Sequence, residues 1–361
     1  MTKPTCIVVP SLNEEHLLSE TCTSLGFGIS AAATPRDCWL ILVDNGSQDR
    51  TWEVMTRICE HSKKDSVITV REPRRGYVPA RTKGAATAEV LAATLSIEPS
   101  ELLVLQADAD TYYCDGYLSA MRSAAKDQNN FFLQGSSSAP PSFARSYPRF
   151  VHLTERVDIP TEKYRVPEDA DVILSDNVSG YLLSDYLRWG GHVREFNSRG
   201  EEILAESSRL YIKAKLEGAI LINVVDAMAH HSRRKLLADP VFNFITSGFP
   251  REREWYAAWK AAYHGPTTLA EIEANEVGAT MDQAIFTRQA HALILFGVLP
   301  RYVNALKANA SAAETSFAAL FALLNDLSMD EVVRNSATLF ERAFDIIDRE
   351  PQVLGQLLQS S

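Results

Sequence analysis

No apolar run in this chain is long enough to cross a membrane. The longest, Ala292–Leu299, falls far short of the roughly 20 residues a spanning helix needs. No stretch has the basic-then-apolar form of a secretory signal. Cysteine is scarce and unpatterned: Cys6, Cys22, Cys38, Cys59 and Cys114 all fall in the first third, with no Cys-x-x-Cys spacing. That excludes a disulfide scaffold or a ribbon-type zinc site and reads as reduced thiols. The expectation is a cytoplasmic chain, soluble or peripherally attached. Basic charge is also short, with 36 Lys and Arg against 46 Asp and Glu and a net charge of −10. A nucleic-acid partner, whose phosphates demand a basic face, is excluded. Glycine is missing from Pro10-Ser11-Leu12-Asn13 after the first apolar run, so no glycine-rich phosphate loop opens there.

What is present is a regular alternation. Thr5–Pro10, Trp39–Val43, Ser66–Val70 and Leu102–Leu105 are short apolar runs that read as buried strands. Between them lie helical patterns from about Glu15 to Ile29, to about His61, and to about Leu95. Strand and helix alternate at the spacing of parallel βαβ units, which makes the fold class α/β. With 361 residues the chain has core enough for one large domain or two smaller ones.

The fourth strand runs straight into Gln106-Ala107-Asp108-Ala109-Asp110. Ligands of open α/β sheets bind beyond the carboxyl ends of the strands. Two carboxylates delivered there offer hard oxygen ligands to Mg²⁺ or Mn²⁺, and such a cation can hold a diphosphate. The bland alternative is a pair of loop aspartates capping the next helix, near Cys114–Ala125. Arg71, Arg74, Arg75, Arg81 and Lys83 crowd one segment, and Arg233, Arg234 and Lys235 another. Local basic clusters in an acidic chain suit a small phosphate ligand, although a solvated surface explains them nearly as well.

Four segments now stand in order: Val9-Pro10-Ser11-Leu12-Asn13-Glu14-Glu15, Val43-Asp44-Asn45-Gly46-Ser47-Gln48-Asp49-Arg50-Thr51, Gly76-Tyr77-Val78-Pro79-Ala80-Arg81-Thr82-Lys83-Gly84 and Asp108-Ala109-Asp110. Over about the first 115 residues the chain resembles the nucleotide-sugar half of family 2-type glycosyltransferases of the GT-A fold. The resemblance implies a Rossmann-like, mostly parallel sheet with flanking helices. It implies a nucleoside-diphosphate sugar donor, a hydroxyl acceptor and Mn²⁺ or Mg²⁺. Pro10, Leu12 and Glu14 would lie along the nucleobase and ribose, and Asp44 would contact the base or ribose. Arg81 would sit near the base or phosphates. Asp110 would ligate the metal directly, and Asp108 would bind the ribose or the metal through water. Each has a structural rival: a strand end for Pro10, a turn for Asp44, a helix ion pair for Arg81.

Further on, Phe131–Gly135 and Ser179–Leu183 read as strands, Ser136–Pro141 as a loop, and Trp189-Gly190-Gly191 resembles the family's Val-Gly-Gly turn. Relatives start the next helix with Glu-Asp-x-Asp-Leu, whose first Asp is the usual base. Counting back from Gly218 puts Glu206 on the family's Glu and Ser207 on that Asp. Serine cannot take up the acceptor proton near neutral pH. Glu206 is one candidate base; Glu202, one helical turn earlier on the same face, is another. The third reading is a retaining enzyme with no side-chain base. The structural reading pairs Glu206 with Arg209 at the helix surface.

The last strand, Ile220–Asp226, leads into Ala227-Met228-Ala229-His230-His231-Ser232-Arg233-Arg234. Strand alternation sends His230 and His231 to opposite faces. The family's spacing favours His231 as the ligand of metal or diphosphate, with Arg233 and Arg234 neutralising the leaving nucleoside diphosphate. The remainder reads as helical. The expected division is a GT-A domain over 1–235 and an all-α region over 236–361, serving as lid, acceptor region or homodimer interface. Phe317–Leu327 and Met329–Ile347 show helical periodicity, with a break at Pro351. Trp255, Trp259 and Tyr263 share a helix face that either packs as core or stacks on a sugar. Gly248-Phe249-Pro250-Arg251 is the candidate lid segment.

The combined expectation is metal-dependent sugar transfer to a hydroxyl with inversion. A sugar-phosphate nucleotidyltransferase is disfavoured by the missing glycine loop. A catalytically silent sugar-nucleotide-binding scaffold remains the rival from another class.

Overall fold

The computed structural model describes residues 2–28, 30–31, 34–274, 279–308, 317–324 and 327–359. Among them the strands are β1 (Thr5–Ser11), β2 (Cys38–Asp44), β3 (Val67–Arg71), β4 (Leu103–Gln106), β5 (Thr111–Tyr113), β6 (Phe131–Ser138), β7 (Ser179–Leu182) and β8 (Ile220–His231). They form one sheet in the order β3-β2-β1-β4-β7-β6-β8-β5. The β1–β2, β2–β3, β1–β4 and β6–β8 pairings are parallel, and β4–β7, β6–β7 and β5–β8 are antiparallel. The strands of the first half form because β-branched and leucine side chains fill both faces. Ile7, Val8, Val9, Leu40, Ile41, Leu42, Leu103, Val104 and Leu105 have no solvent exposure. Burying each such side chain stabilises the fold by about 1.5–3 kcal/mol.

The chain divides into two compact units that interleave in sequence. The first contains Met1–Ser138, Leu174–Arg194 and Glu206–Ser232; the second contains Ala139–Ile173, Glu195–Ala205 and Arg233–Ser361. The expected boundary at 235/236 puts Ala139–Ile173 and Glu195–Ala205 with the sheet, whereas by their contacts they belong with the C-terminal helices.

In the first unit β1 lies between β2 and β4, so the order of strands reverses there. Such a switch point opens a crevice at the strand ends. The helices α1 (Leu18–Ser24), α2 (Thr51–His61), α3 (Tyr77–Leu95) and α4 (Tyr117–Ala124) cover the sheet. α1 is shorter than the expected Glu15–Ile29, and Ile29 lies outside the described residues. One glycine decides how closely α3 approaches. A Cβ at Gly84 would stand 2.2 Å from Val8 Cγ1, so only glycine lets the helix lie against β1 at this height. That contact sets Arg81, one turn earlier, over the strand ends.

The second unit is helical among its described residues. Phe143, Phe150, Leu153, Val241, Phe244 and Ala284 form its core. Trp255 and Trp259 pack against this cluster, Tyr263 is part of it, and the Trp259 and Tyr263 rings stack at 4.7 Å. The aromatic stripe is therefore core. The Gly248–Arg251 segment is packed as well: Phe249 stacks on Phe340, and Arg251 pairs with Asp348 at 3.0 Å. The periodic stretch Met329–Ile347 is two helices, Met329–Arg334 and Ala337–Arg349. The break is stabilised by Glu195, whose buried carboxylate accepts from Ser336 Oγ at 2.9 Å and Ala337 N at 2.8 Å, capping the second helix. Of Phe317–Leu327 only Ala318–Ala322 is helix, and Asn325 and Asp326 lie outside the described residues. The expected break at Pro351 is present: one helix ends at Arg349, and Pro351 opens the final one, Pro351–Gln359.

Candidate functional site

The loops after β1 and β2 are laced together. Asn13 N donates to Ser47 Oγ at 3.0 Å, Glu14 N to Thr51 Oγ1 at 2.7 Å, and Gln48 N to Asn13 Oδ1 at 2.8 Å. Asn13 takes a left-handed φ of 57°, a conformation asparagine tolerates better than most side chains. Asp44 is buried opposite Ser11, and its Oδ1 accepts from Ser47 N at 3.0 Å. Asp44 thus shapes its turn, which leaves Oδ2 facing Arg71 at 3.8 Å. Pro10 is the last residue but one of β1, beside Val43, and Leu12 stands 40% exposed on the loop. The structure brings Pro10, Leu12, Glu14 and Asp44 to the same strand ends.

Next to them, beyond β4, sits a buried charge cluster centred on Arg81. The guanidinium, 1% exposed, donates from Nε to Glu206 Oε1, from one terminal nitrogen to Gln106 Oε1 and from the other to Asp108 Oδ1, each at 3.0 Å. Gln106 in turn donates to the Tyr181 hydroxyl at 2.7 Å. Burial works against the Arg81 charge, but Asp176, Asp108 and Glu206 outweigh it and hold the pKa above its ordinary value. A fork of five donors suits such a site, since each nitrogen finds a separate acceptor.

Asp176 is the member of this cluster that the sequence did not flag. It begins a short turn before β7, and its Oδ1 accepts from Ser207 N at 3.2 Å. Burial first, and the Glu206 charge second, push its carboxyl up to about 7, against the opposing pull of Arg81 and the Ser207 hydrogen bond. Asp176 therefore holds its proton to higher pH than a solvent-exposed aspartate does.

The helix that carries Glu206 starts at that residue and runs to Leu216. Glu202 is therefore not one helical turn earlier. Ala205, with a left-handed φ of 63°, breaks the backbone just before the helix, and Glu202 bridges to Phe196 in the second unit. The expected shared face does not exist. Nor does Glu206 form a surface pair with Arg209. Both are buried, Glu206 holds Arg81, and Arg209 donates to Val193 O at 3.0 Å. Ser207 is fully buried, 3.5 Å from Nε2 of His192. Burial, then Arg81, Arg209 and Lys213, keep His192 well below the ordinary histidine pKa, and the ring is neutral.

A hydrogen-bonded path runs from this cluster to the far strand. Asp108 N donates to the Tyr113 hydroxyl at 3.0 Å, which donates to Asn177 O at 2.8 Å. The Asn177 side-chain amide donates to Ser137 Oγ at 3.1 Å, and Ser137 Oγ lies 3.0 Å from His231 Nδ1. On the pairing of β5 with β8, Thr111 stands opposite His231 and Ser232 N donates to Asp110 O at 3.0 Å. Asp110 and His231 are thereby neighbours. His230 turns the other way and meets Ser138 Oγ at 3.1 Å. Among the described residues no group of three or more His, Cys, Asp or Glu side chains is placed to hold a metal. Arg233 belongs to the second unit, where its guanidinium lies 5.4 Å from the Phe143 ring centroid.

Residues 6–149 match the model of glycosyl transferase family 2. Over that segment the chain is similar to family 2 glycosyltransferases. Its GT-A fold is also that of a mannosyltransferase from Pyrobaculum calidifontis, solved with GDP-Man and Mn²⁺. The two are 16% identical with a TM-score of 0.50, over 98% of this chain and 88% of that one. The TarS protein of S. aureus, residues 1–349, aligns with 99% of this chain and 92% of its own at 14% identity, with a TM-score of 0.45. No curated protein sequence matches the chain significantly. No described helix is long and apolar enough to cross a membrane.

The first unit thus contains Pro10, Leu12, Glu14, Asp44, Arg81, Asp108, Asp110, His231 and Glu206. Gln106, Tyr113, Ser137, Asn177 and Asp176 join them without any motif of their own. Only the fold could reveal these, because each acts through a partner distant in sequence.

Proposed function

We propose that this chain transfers a sugar from a nucleoside-diphosphate donor to an acceptor hydroxyl, with inversion at the anomeric carbon. The base and ribose would lie over Pro10, Leu12, Glu14 and Asp44 at the ends of β1 and β2. Asp110 and His231 would hold a divalent cation. The donor set fits that role, because a carboxylate just before β5 and an imidazole at the end of β8 are neighbours and diphosphate oxygens can complete the shell. The cation supplies positive charge against the leaving diphosphate. Asp108, kept in place by Arg81, would face the ribose or reach the cation through water. A carboxylate of the Asp176–Glu206 pair would accept the acceptor proton.

The observation that carries this reading is the placement of Asp110 and His231 beside each other where the start of β5 pairs with the end of β8. The mannosyltransferase with the same fold carries GDP-Man and Mn²⁺, which supports a nucleotide-bound cation here. The donor site is tested by thermal denaturation against nucleoside diphosphates, with and without Mn²⁺ or Mg²⁺. A ligand that binds only the folded state raises the melting temperature. A cation-dependent rise with one diphosphate, lost in Asp110→Ala, is the expected result. No rise with any nucleotide refutes the donor site. Binding without donor turnover would instead favour a sugar-nucleotide-binding scaffold, the reading that the buried Ser207 supports.

A further inference from the structure

We propose that Asp176 is the acceptor base of this site, presented from the turn before β7 instead of from the helix that begins at Glu206. The inference rests on the glycosyltransferase reading above and names a residue for its proton transfer. Three candidates meet at the helix start, and burial separates them. Ser207 has no exposure and carries no ionisable oxygen near neutral pH. Glu206 is 4% exposed, and its Oε1 is held by Arg81 Nε at 3.0 Å. Asp176 is half-buried, and its Oδ1 accepts a hydrogen bond from Ser207 N at 3.2 Å. A carboxylate therefore stands at the helix start where the chain has serine, but it comes from another segment.

The next residue ties that segment to the strands bearing Asp110 and His231. The Asn177 amide donates to Thr111 Oγ1 at 3.3 Å and to Ser137 Oγ, which meets His231, at 3.1 Å. Tyr113, whose hydroxyl accepts from Asp108 N, donates to Asn177 O. Asp176 is thus fixed relative to both ends of the Asp108–Asp110 turn. In the step it performs, the acceptor O–H proton passes to the Asp176 carboxylate. The freed oxygen bonds to the anomeric carbon as the bond from that carbon to the diphosphate oxygen breaks. The electron pair leaves with the diphosphate, and Asp176 releases its proton to solvent.

The groups facing Asp176 are Glu206 from its helix, Arg81 from α3 and Asp108 from the end of β4, with the Ser207 amide. Glu206 opposes its ionisation and Arg81 favours it. The acid limb of turnover is therefore expected near neutral pH.

The test uses the full chain with UDP- and GDP-sugars, Mn²⁺ and water as acceptor, reading released nucleoside diphosphate beside nucleotide affinity. Asp176→Asn is expected to lower kcat by about 100-fold or more, the scale of general-base catalysis. Its affinity for the nucleoside diphosphate stays, and the acid limb disappears; Asp176→Glu recovers part of the rate. Glu206→Gln still turns over, with the acid limb moved to lower pH because a like charge has gone. This second variant decides the matter if Asp176→Asn does not fold. A dead Glu206→Gln beside an active Asp176→Asn would make Glu206 the base and overturn the proposal. Equal loss of nucleotide binding and rate in Asp176→Asn would leave only a structural role. A wild-type chain that binds nucleotide without hydrolysing any donor also overturns it. One that binds no nucleotide refutes the donor-site reading first, and this inference with it.

Discussion

Glu206 and Arg81, 125 positions apart in sequence, meet at 3.0 Å with 4% and 1% of their side chains exposed. The pair joins the start of the Glu206–Leu216 helix to α3, and the Arg81 fork extends the link to Gln106 and Asp108. Removing the cation strands the buried Glu206 carboxylate. Arg81→Ala is expected to destabilise the chain by about 3–5 kcal/mol, the cost of an uncompensated buried charge. Denaturant unfolding measures it. Arg81→Lys would recover only part, since one ammonium cannot reach three acceptors as the fork does. A loss under about 1 kcal/mol would show that the cluster relaxes to admit solvent.

Gly84→Ala tests how closely α3 must lie on β1. The new methyl would run into Val8 Cγ1, with Cγ2 and Cβ of the same stiff side chain at 3.2 and 3.3 Å. The helix has to shift, and the expected cost is about 1–3 kcal/mol despite alanine's better helix propensity. Because Arg81 sits one turn away, nucleotide affinity should fall with stability. A more stable variant would mean that α3 and β1 are less closely packed than the Gly84–Val8 approach requires.

Much of this was legible in the chain. Strands buried on both faces read as continuous apolar runs, and β1, β2 and β4 are such strands. Run and spacing place Asp44, Arg81, Asp108 and Asp110 near the strand ends from sequence alone. Asp176 carries no such signal, because its turn has no periodicity and its neighbours Glu206 and Arg81 come near only on folding. Glu202 was misplaced for a local reason: helical spacing was carried across Ala205, whose left-handed φ halts the helix. Ala139–Ile173 looked continuous with the sheet domain because helices inserted between two strands carry no sign of which core they join.

The two adjacent histidines give opposite expectations. His231 lies beside Asp110 through the β5–β8 pairing, whereas His230 faces Ser138. His231→Ala should weaken the cation-dependent gain in melting temperature with nucleoside diphosphate, and His230→Ala should leave it. Mn²⁺ alone should give little shift, because among the described residues no three ligating side chains converge. A strong Mn²⁺ shift without nucleotide would point to a preformed metal site elsewhere.

Asp176 also makes a prediction about stability. Burial and the Glu206 charge raise its folded-state pKa to about 7, above the unfolded value of about 3.9. The folded state therefore binds more protons across that window. The contribution is fully present below the unfolded pKa and is lost as pH rises through the folded one. Asp176→Asn removes this dependence. Its melting temperature relative to wild type should rise between about pH 4 and pH 7. A difference independent of pH would mean that Asp176 titrates normally, and the near-neutral acid limb would lose its basis.

Restoring an aspartate at Ser207 should not restore a base. The serine side chain has no exposure, and its hydroxyl lies against the neutral ring of His192. A carboxylate at this position would sit next to Glu206 and Asp176 with Arg81 already engaged. With Asp108, four carboxylates would then crowd Arg81, and burying another charge without a partner costs several kcal/mol. Ser207→Asp is therefore expected to lower stability and leave donor hydrolysis no higher than wild type. Unfolding and hydrolysis measured on the same preparation decide it. A folded, more active variant would show that the helix start can turn outward, and that serine there marks a lost function instead of a base supplied from β7's approach.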